Sequence, residues 1–230
     1  MSQFLDNPVY FALVTGDSHF ASGTENVKYF PKEVSPFAGF PEEYENGFAE
    51  LHKMLPEKRR ILYATRKEIP APNGWKLFAQ ISGAQFVFHK KDIQAPNAEL
   101  PIVPLTTADV DQMIELARLT KPGPFDKRTI EFGSYYGIVD GQQLVAMTGQ
   151  RLHIYDHAEI SAVCTRPGYN GRGYASALVQ HQLQIILNEN KTPFLHVRAD
   201  NAIAIGVYER LGFEYNGVMN FYFMEKMDSQ

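Results

Sequence analysis

The sequence predicts a mixed α/β (α+β) fold, and three observations lead to this prediction. Helical and strand periodicities alternate along the 230 residues. Two-residue turn signals such as Asp140-Gly141 indicate hairpins. A strand at 158–165 then enters a glycine-rich turn and a helix. Such a junction is suited to binding an anion, because the first N–H groups of a helix have no intrahelical partner and the helix dipole favours negative charge there.

Composition excludes several classes of protein. No window reaches the roughly 18 consecutive apolar residues of a membrane span, and the first residues lack the basic region of a signal peptide, so we expect a cytoplasmic protein without a membrane partner. The formal net charge of −4 argues against a nucleic-acid partner. No cysteine and histidine cluster has metal-ligand spacing, so no metal is expected.

The chain has a single cysteine, Cys164, which excludes an internal disulfide. Because this cysteine lies within the strand at 158–165, buried packing is favoured over a role as nucleophile.

The first 100 residues indicate an α+β unit without a motif tied to chemistry. A helix is predicted from Pro41, because Tyr44, Phe48 and Leu51 recur at helical spacing. Strands are predicted at 60–65, 76–81 and 85–89. The polar, proline-containing segment 90–104 separates this unit from the rest, so we predict two domains, residues 1–100 and 101–230.

The second half begins with a helix capped by a threonine in the segment 105–109 and continues to Leu119. A short helical segment at 128–132 precedes a strand at 133–139. Asp140-Gly141 is predicted to form a hairpin turn that connects this strand to the next one. With the strand at 158–165, three antiparallel strands therefore reach the glycine-rich turn in sequence.

A long helix is predicted after the glycine-rich turn, ending near Glu189, and a strand follows at 194–198. Asn201 caps a second helix that Gly212 ends. Two final strands, 213–218 and 220–224, are predicted to join through Asn216-Gly217.

Four features of the second half resemble the GCN5-related N-acetyltransferase (GNAT) superfamily and its FR47-like branch. They are the strand end with the following glycine turn, Asn201, Tyr208 seven residues later, and the segment 208–213 that ends the helix. The resemblance covers roughly residues 101–228. The sequence departs from the family pattern at Asn170, where Gln or Arg is usual. It implies a central, mostly antiparallel sheet, with the N-terminal half interpreted as a degenerate GNAT-like unit.

The resemblance also implies an acetyl-CoA site and an N-acetyltransferase activity. The strand end would splay from the strand at 194–198 and leave backbone groups free to bind the pantetheine arm. The cofactor-binding residues that it implies are Val163, Cys164, Thr165, Asn170, Gly171, Arg172, Gly173, Tyr174, Ala175, Ser176, Asn201 and Tyr208.

The chemistry expected is direct attack of a primary amine on the thioester, without a covalent enzyme intermediate. Tyr208 resembles the tyrosine that acts as general acid toward the sulfur. Two residues are candidates for the general base: Glu159, for which partial burial in a cleft would raise the pKa, and His196, with an ordinary pKa near neutrality. An ordered water chain is the third possibility.

Two functions compete at this point. The first is an acetyl-CoA-dependent N-acyltransferase acting on a small-molecule or amino-acid-like acceptor, and the second is a non-catalytic acyl-CoA-binding sensor or interaction module. The N-terminal half is expected to bury one face of the catalytic half and to shape the acceptor pocket, through the aromatic segments 37–40 or 121–125. The sequence leaves the acceptor and the oligomeric state open.

Overall fold

The computed structural model describes residues 3–90, 93 and 100–228, which form two sheets and flanking helices. The helices are α1 (Pro8–Val14), α2 (Gly47–Met54), α3 (Val110–Thr120), α4 (Tyr174–Asn188) and α5 (Ala202–Leu211). A small sheet contains β1 (Ser22–Gly23), β2 (Lys28–Tyr29) and β3 (Ala38–Gly39). The large sheet contains β4 (Arg60–Thr65), β5 (Trp75–Val87), β6 (Ile102–Pro104), β7 (Tyr136–Asp140), β8 (Gln143–Ile154), β9 (His157–Thr165), β10 (Thr192–Arg198) and β11 (Glu214–Lys226).

The large sheet has the order β4-β11-β5-β10-β9-β8-β7-β6. Neighbouring strands are antiparallel except β9 and β10, which run parallel and are connected by α4. The predicted mixed α/β fold with a mostly antiparallel sheet is therefore confirmed.

The two halves of the chain share this sheet. Strand β5 of the N-terminal half lies between β10 and β11, and it pairs with both in antiparallel fashion. The C-terminal half by itself therefore lacks the strand that joins β10 to β11. The division near residue 100 into two domains stays a prediction, and residues 91–92 and 94–99 of the predicted boundary segment lie outside the described residues.

Apolar side chains cover both faces of the sheet. On one face, Leu183 of α4 and Tyr208 of α5 pack in one cluster with Ile160 and Leu195 of the two parallel strands. Successive side chains of a strand point to opposite faces. On the other face, Phe194 belongs to a cluster with residues of α1 and α3, namely Val9, Ala12, Leu13, Met113, Leu116 and Ala117.

Most predicted elements occur where the sequence placed them, with three corrections. The Asp140-Gly141 hairpin and the helix ended by Gly212 are confirmed, and the predicted threonine cap is Thr106, which caps a short 3-10 turn that leads into α3. The helix predicted from Pro41 begins only at Gly47, because residues 41–46 form turns. The predicted hairpin at Asn216-Gly217 is wrong, because β11 continues through it with a register shift. The two strands predicted at 76–81 and 85–89 are one strand, β5. Strands β5 and β11 pair with each other along their whole length. Because this pairing satisfies their backbone groups, neither strand is interrupted by a turn.

Candidate active site

Strands β9 and β10 separate halfway along their length. They pair from Thr192 opposite His157 to Leu195 opposite Ile160, and pairing ends there. Beyond that point each strand is held only on its outer side, β10 by β5 as far as Arg198 and β9 by β8 as far as Thr165. The splayed strands expected from the resemblance are therefore present.

The open side of β9 presents free backbone groups. Arg166 N–H donates to the carbonyl of Val145, and Met147 lies opposite Cys164. Because backbone groups of successive strand residues alternate in direction, those of Val163 and Thr165 point away from β8 and into the gap. The groups of Cys164 point toward β8.

A bulge marks the place where the strands begin to separate. The β8–β9 register shifts between Met147/Gly149, where β9 has an extra residue and Ala162 has a φ of 55°. A second shift, between Arg151/His153, marks another bulge, in which Leu152 is the extra residue of β8. A bulge bends its strand and strengthens the local twist, which directs the end of β9 away from β10. A positive φ at a residue with a side chain costs about 1–3 kcal/mol, and such costs are concentrated at functional sites.

The glycine-rich turn brings the start of α4 to the open end of β9. Gly171 and Gly173 have φ values of 78° and 79°, and apart from the adjacent residues no atom of the described part of the chain lies within 4 Å of the position that a Cβ would occupy. The turn therefore needs glycine for its backbone conformation, and the space above it is free. Gly173 is the N-cap and offers no side chain to the first N–H groups of α4, which belong to Tyr174, Ala175 and Ser176.

Arg172 adds a positive charge to this turn. Its guanidinium lies over the ring of Tyr169 at 4.6 Å, and the Tyr169 hydroxyl donates to Asp140 at 2.9 Å. Asn170 is exposed in the same turn. The arrangement can bind a phosphate or pyrophosphate through backbone donors, helix dipole and one cation.

Asn201 caps α5 and Tyr208 lies within it, and the two side chains have different surroundings. The exposed Asn201 side chain accepts the N–H of Ala204 at 3.1 Å and so caps the helix. Tyr208 is buried, which together with the nearby Cys164 raises the pKa of its hydroxyl to about 12. Tyr208 therefore remains protonated, and a hydrogen-bond donor, at neutral pH.

Cys164 is buried within β9, and burial raises the pKa of its thiol to about 11. The thiol stays neutral near pH 7, so it is a poor nucleophile. The prediction of buried packing is confirmed.

Glu159 forms a buried ion pair with Arg151. The guanidinium donates from Nε to Oε2 and from Nη2 to Oε1, both at 2.8 Å. Burial alone would raise the pKa of Glu159, but Arg151 and His196 together lower it to about 2. The expected raised pKa is wrong, because the sequence did not reveal that a guanidinium lies opposite this carboxylate.

His196 connects Glu159 to Gln85 of β5. Its Nδ1 lies 2.8 Å from Oε1 of Glu159, and its Nε2 lies 2.9 Å from Nε2 of Gln85. The Gln85 oxygen accepts from Arg66 and Asn216, at 2.8 and 2.6 Å, which orients its nitrogen toward the imidazole. Since an amide nitrogen only donates, Nε2 of His196 is the acceptor and Nδ1 carries the proton.

The network Arg151–Glu159–His196–Gln85 runs across four adjacent strands on one face of the sheet. It is covered from the N-terminal half, since Phe37 lies over Arg151 at 4.8 Å and the Leu5 carbonyl accepts from Gln85 at 2.9 Å. The side chain of His196 is only 5% exposed. A histidine held by a carboxylate in this way is suited to accept a proton at Nε2 from a substrate, once the Gln85 amide no longer donates to that atom.

Sequence reasoning missed Arg151 and Gln85. Counting back from the turn between β8 and β9 would place Leu152 opposite Glu159, but the bulge at Leu152 places Arg151 there. No sequence signal marks Gln85, because its position next to His196 depends on the insertion of β5 between β10 and β11.

Two neighbouring pockets lie beside the β9 bulge at Ala162. A small one lies between Ala162, Arg151 and the loop 122–125. A cleft of about 640 Å³ adjoins it, since Pro124, Phe125 and Thr129 line both. The rest of the cleft is lined by Asp126, Glu225 and residues of the N-terminal half, namely Lys32, Val34, Ser35, Pro36 and residues 56–60. Of the two aromatic segments expected to shape an acceptor pocket, 121–125 contributes lining residues and 37–40 contributes none. The use of these pockets by an acceptor stays a prediction.

Among the described residues, no helix combines the length and the apolar character needed to cross a membrane. Within the same part of the chain, no group of three or more His, Cys, Asp or Glu side chains could hold a metal ion.

Comparison with known proteins identifies relatives of the region that forms this site. Residues 135–222 match the FR47-like protein family. An uncharacterised protein of Mycobacterium leprae is 30% identical over 146 residues, 58% of this chain and 40% of the relative. The mycothiol acetyltransferase of Streptomyces scabiei is 37% identical over 75 residues, 32% of this chain and 24% of the relative. The chain therefore spans less than half the length of these curated relatives.

Solved structures match over the whole chain. A GNAT-family protein from Novosphingobium aromaticivorans is 28% identical, with a TM-score of 0.90 over 99% of this chain and 100% of its own. A GCN5-related N-acetyltransferase from Kribbella flavida shares the fold at 12% identity, with a TM-score of 0.65 over 99% of this chain and 98% of its own.

Proposed function

We propose that this chain, which belongs to the GNAT superfamily and to its FR47-like branch, transfers an acetyl group from acetyl-CoA to a primary amine of a small-molecule or amino-acid-like acceptor. In this reaction the amine nitrogen bonds to the thioester carbonyl, the carbon–sulfur bond breaks, and the proton released from nitrogen is balanced by the proton gained by sulfur. No covalent bond to the protein is needed.

The observation that carries the proposal is the gap between β9 and β10 beside the glycine-rich turn. The free groups of Val163 and Thr165 form an open strand edge that can hydrogen-bond an extended, amide-bearing chain such as pantetheine. The start of α4, with Arg172 beside it, provides donors for the pyrophosphate at one end of that edge. A flexible donor is thereby held along one edge without a deep pocket, and its acyl end lies near the bulge at Ala162.

His196 is the base that the geometry supports best. Its Nδ1–H is fixed on Glu159, so Nε2 is the atom that can take the proton of the attacking amine. Glu159 has a pKa of about 2 and both its oxygens are occupied, so it is better suited to orient His196 than to accept a proton itself.

Tyr208 is proposed to stabilise the sulfur that leaves. A thiol has an ordinary pKa of about 8.5, so full proton transfer from a hydroxyl of pKa about 12 would cost about 5 kcal/mol. Donation of a hydrogen bond to the thiolate avoids this cost. The proton that finally reaches sulfur then comes from the amine, by way of His196 and solvent.

One observation favours the alternative of a non-catalytic acyl-CoA-binding module. Nε2 of His196 is already engaged by Gln85, and the imidazole is nearly inaccessible. A module of this kind would bind acyl-CoA at the same strand edge and would need no base.

Thiol release from acetyl-CoA in the presence of a panel of primary amines tests the proposal. We expect amine-dependent release with at least one member of the panel, and its loss in His196→Gln. Calorimetric binding of CoA without turnover for any amine would support the module, and absence of both would exclude the donor site itself.

A further inference from the structure

We propose that the cleft beside the bulge is the acceptor site and that Arg59 at its wall binds a carboxylate of the acceptor. This inference rests on the proposed function, because the molecule in the cleft is taken to be the one that is acylated. It narrows the acceptor to compounds that carry a primary amine and a carboxylate.

Arg59 is a buried cation with unused donors. The residue is only 8% exposed, and its Nη2 donates to the Phe30 carbonyl at 3.1 Å. Its Nε is buried without a hydrogen-bond partner among the described residues. Glu33 is a nearby carboxylate, but it forms no ion pair with Arg59 within 4 Å among those residues. Burying a guanidinium without a directly paired anion is unfavourable, so an anion that reaches it from the cleft would bind well.

Arg59 is held rigidly in this position. Its N–H donates to Pro56 at 3.2 Å, and its carbonyl accepts from Lys226 N–H at 2.9 Å. Burial lowers the pKa of Arg59, and the carboxylate of Glu33 opposes this effect. Since an arginine keeps its charge at any pH that proteins tolerate, the site stays cationic.

Two of the three carboxylates that line the cleft are already paired. Glu57 pairs with Lys226 at 3.0 Å, and Glu225 pairs with Arg60 at 2.8 Å. Asp126 is the third, and the cations Lys32, Lys58 and Arg59 line the same cleft. The cleft therefore has an excess of positive charge that suits an anionic ligand.

The cleft has the size that an acceptor needs, and it lies next to the pocket at the β9 bulge. Its volume of about 640 Å³ lies within the range of small-molecule sites. It shares Phe125 and Thr129 with the small pocket that ends at Ala162, the point where the acyl group is expected. A ligand whose carboxylate binds Arg59 would therefore extend its amine toward the bulge.

Matched pairs of ligands test this site. Glycine, β-alanine and γ-aminobutyrate are compared with their amides as acceptors, by kcat/KM for thiol release. The N-acetylated forms of the same compounds are compared by calorimetric binding, which requires no turnover. We expect at least a tenfold preference for the acid over the amide in one pair, because the amide lacks the charge that Arg59 recognises.

Arg59→Met removes the charge at nearly constant volume, and Arg59→Lys keeps it. We expect the acid preference to fall below twofold in Arg59→Met and to be partly retained in Arg59→Lys. Lys53→Met, a loss of charge at an exposed residue of α2, should leave the preference unchanged. Thermal unfolding of each variant verifies that the fold is retained.

The outcomes separate this inference from the proposed function. Acid and amide of equal affinity in the wild type, or a preference that survives Arg59→Met, would overturn the carboxylate site even if acyl transfer occurs. Selective binding of N-acetyl acids that depends on Arg59, without turnover of any amine, would support the anion site and refute the proposed activity. Failure of every N-acetyl acid to bind at millimolar concentration would also overturn the inference.

Discussion

Replacing Glu159 by Gln should destabilise the protein strongly. The substitution removes the charge between Arg151 and His196 and leaves the buried guanidinium without its carboxylate. Breaking a buried pair from one side costs about 3–5 kcal/mol. The displacement of the Glu159 pKa from 4.5 to about 2 gives a similar value, about 3 kcal/mol.

The pH dependence of this effect has a definite sign. Because folding lowers the pKa of Glu159, its contribution is complete above pH 4.5 and decreases as the pH falls toward 2. At pH 3 it should be about 1.4 kcal/mol, roughly half of the value at pH 7. The difference between wild type and Glu159→Gln should therefore shrink on acidification.

Urea unfolding followed by tryptophan fluorescence measures this difference, since Trp75 is the single tryptophan and is buried. Glu225→Gln, which removes one partner of a surface ion pair with Arg60, is the matched control and should give no resolvable change. A loss below about 1 kcal/mol for Glu159→Gln at pH 7, or a loss that does not decrease at low pH, would show that the charge of Glu159 does not stabilise the folded protein.

The remaining predictions concern the donor site, the reaction and the sheet. Gly173→Ala should raise the Kd for CoA at least tenfold in calorimetric binding. Gly141→Ala is the control, because Gly141 also has a positive φ and open space, and it should leave the Kd unchanged. An equal change of Kd in both variants would count against the glycine turn as the phosphate site. Tyr208→Phe should lower kcat about 100-fold with CoA affinity within threefold, and unchanged thiol release would exclude Tyr208 as the donor to sulfur. His196→Gln should lower kcat/KM for the amine by a similar factor without weakening CoA binding, and full activity would exclude it as the base. The fragment 101–230 should fail to unfold cooperatively, because it lacks β5; a cooperative transition in circular dichroism would show that β10 and β11 do not need that strand.

Local patterns predicted the elements of the C-terminal half well. The Asp140-Gly141 turn, the helix after Gly173 and the helix capped by Asn201 depend on neighbouring residues, which a sequence displays directly. Asn216-Gly217 carried an equally strong turn signal, yet the chain continues as β11. There the long pairing with β5 outweighs the local preference of two residues.

The candidate site divides along the same line. The glycine turn lies within one continuous stretch and could be predicted from it, whereas the splay of β9 from β10 was implied only by the resemblance to the GNAT superfamily. The use of both by the donor stays a prediction. The network behind Glu159 could not, because it depends on a bulge at Leu152 and on Gln85 from a strand more than 100 residues away. Arg59 carries no sequence signal, since the burial of its unpaired Nε becomes visible only in the folded chain.

Hydrogen–deuterium exchange with and without acetyl-CoA measures whether the gap beside β9 and the first turn of α4 bind the acyl donor. The amides of Val163, Thr165 and Tyr174–Ser176 face a gap in the free protein, so they should exchange quickly and become protected when the donor binds. Protection at the end of β9 and at the first turn of α4 is the predicted result. Binding of acetyl-CoA that leaves both segments unprotected would show that the donor binds elsewhere on the protein.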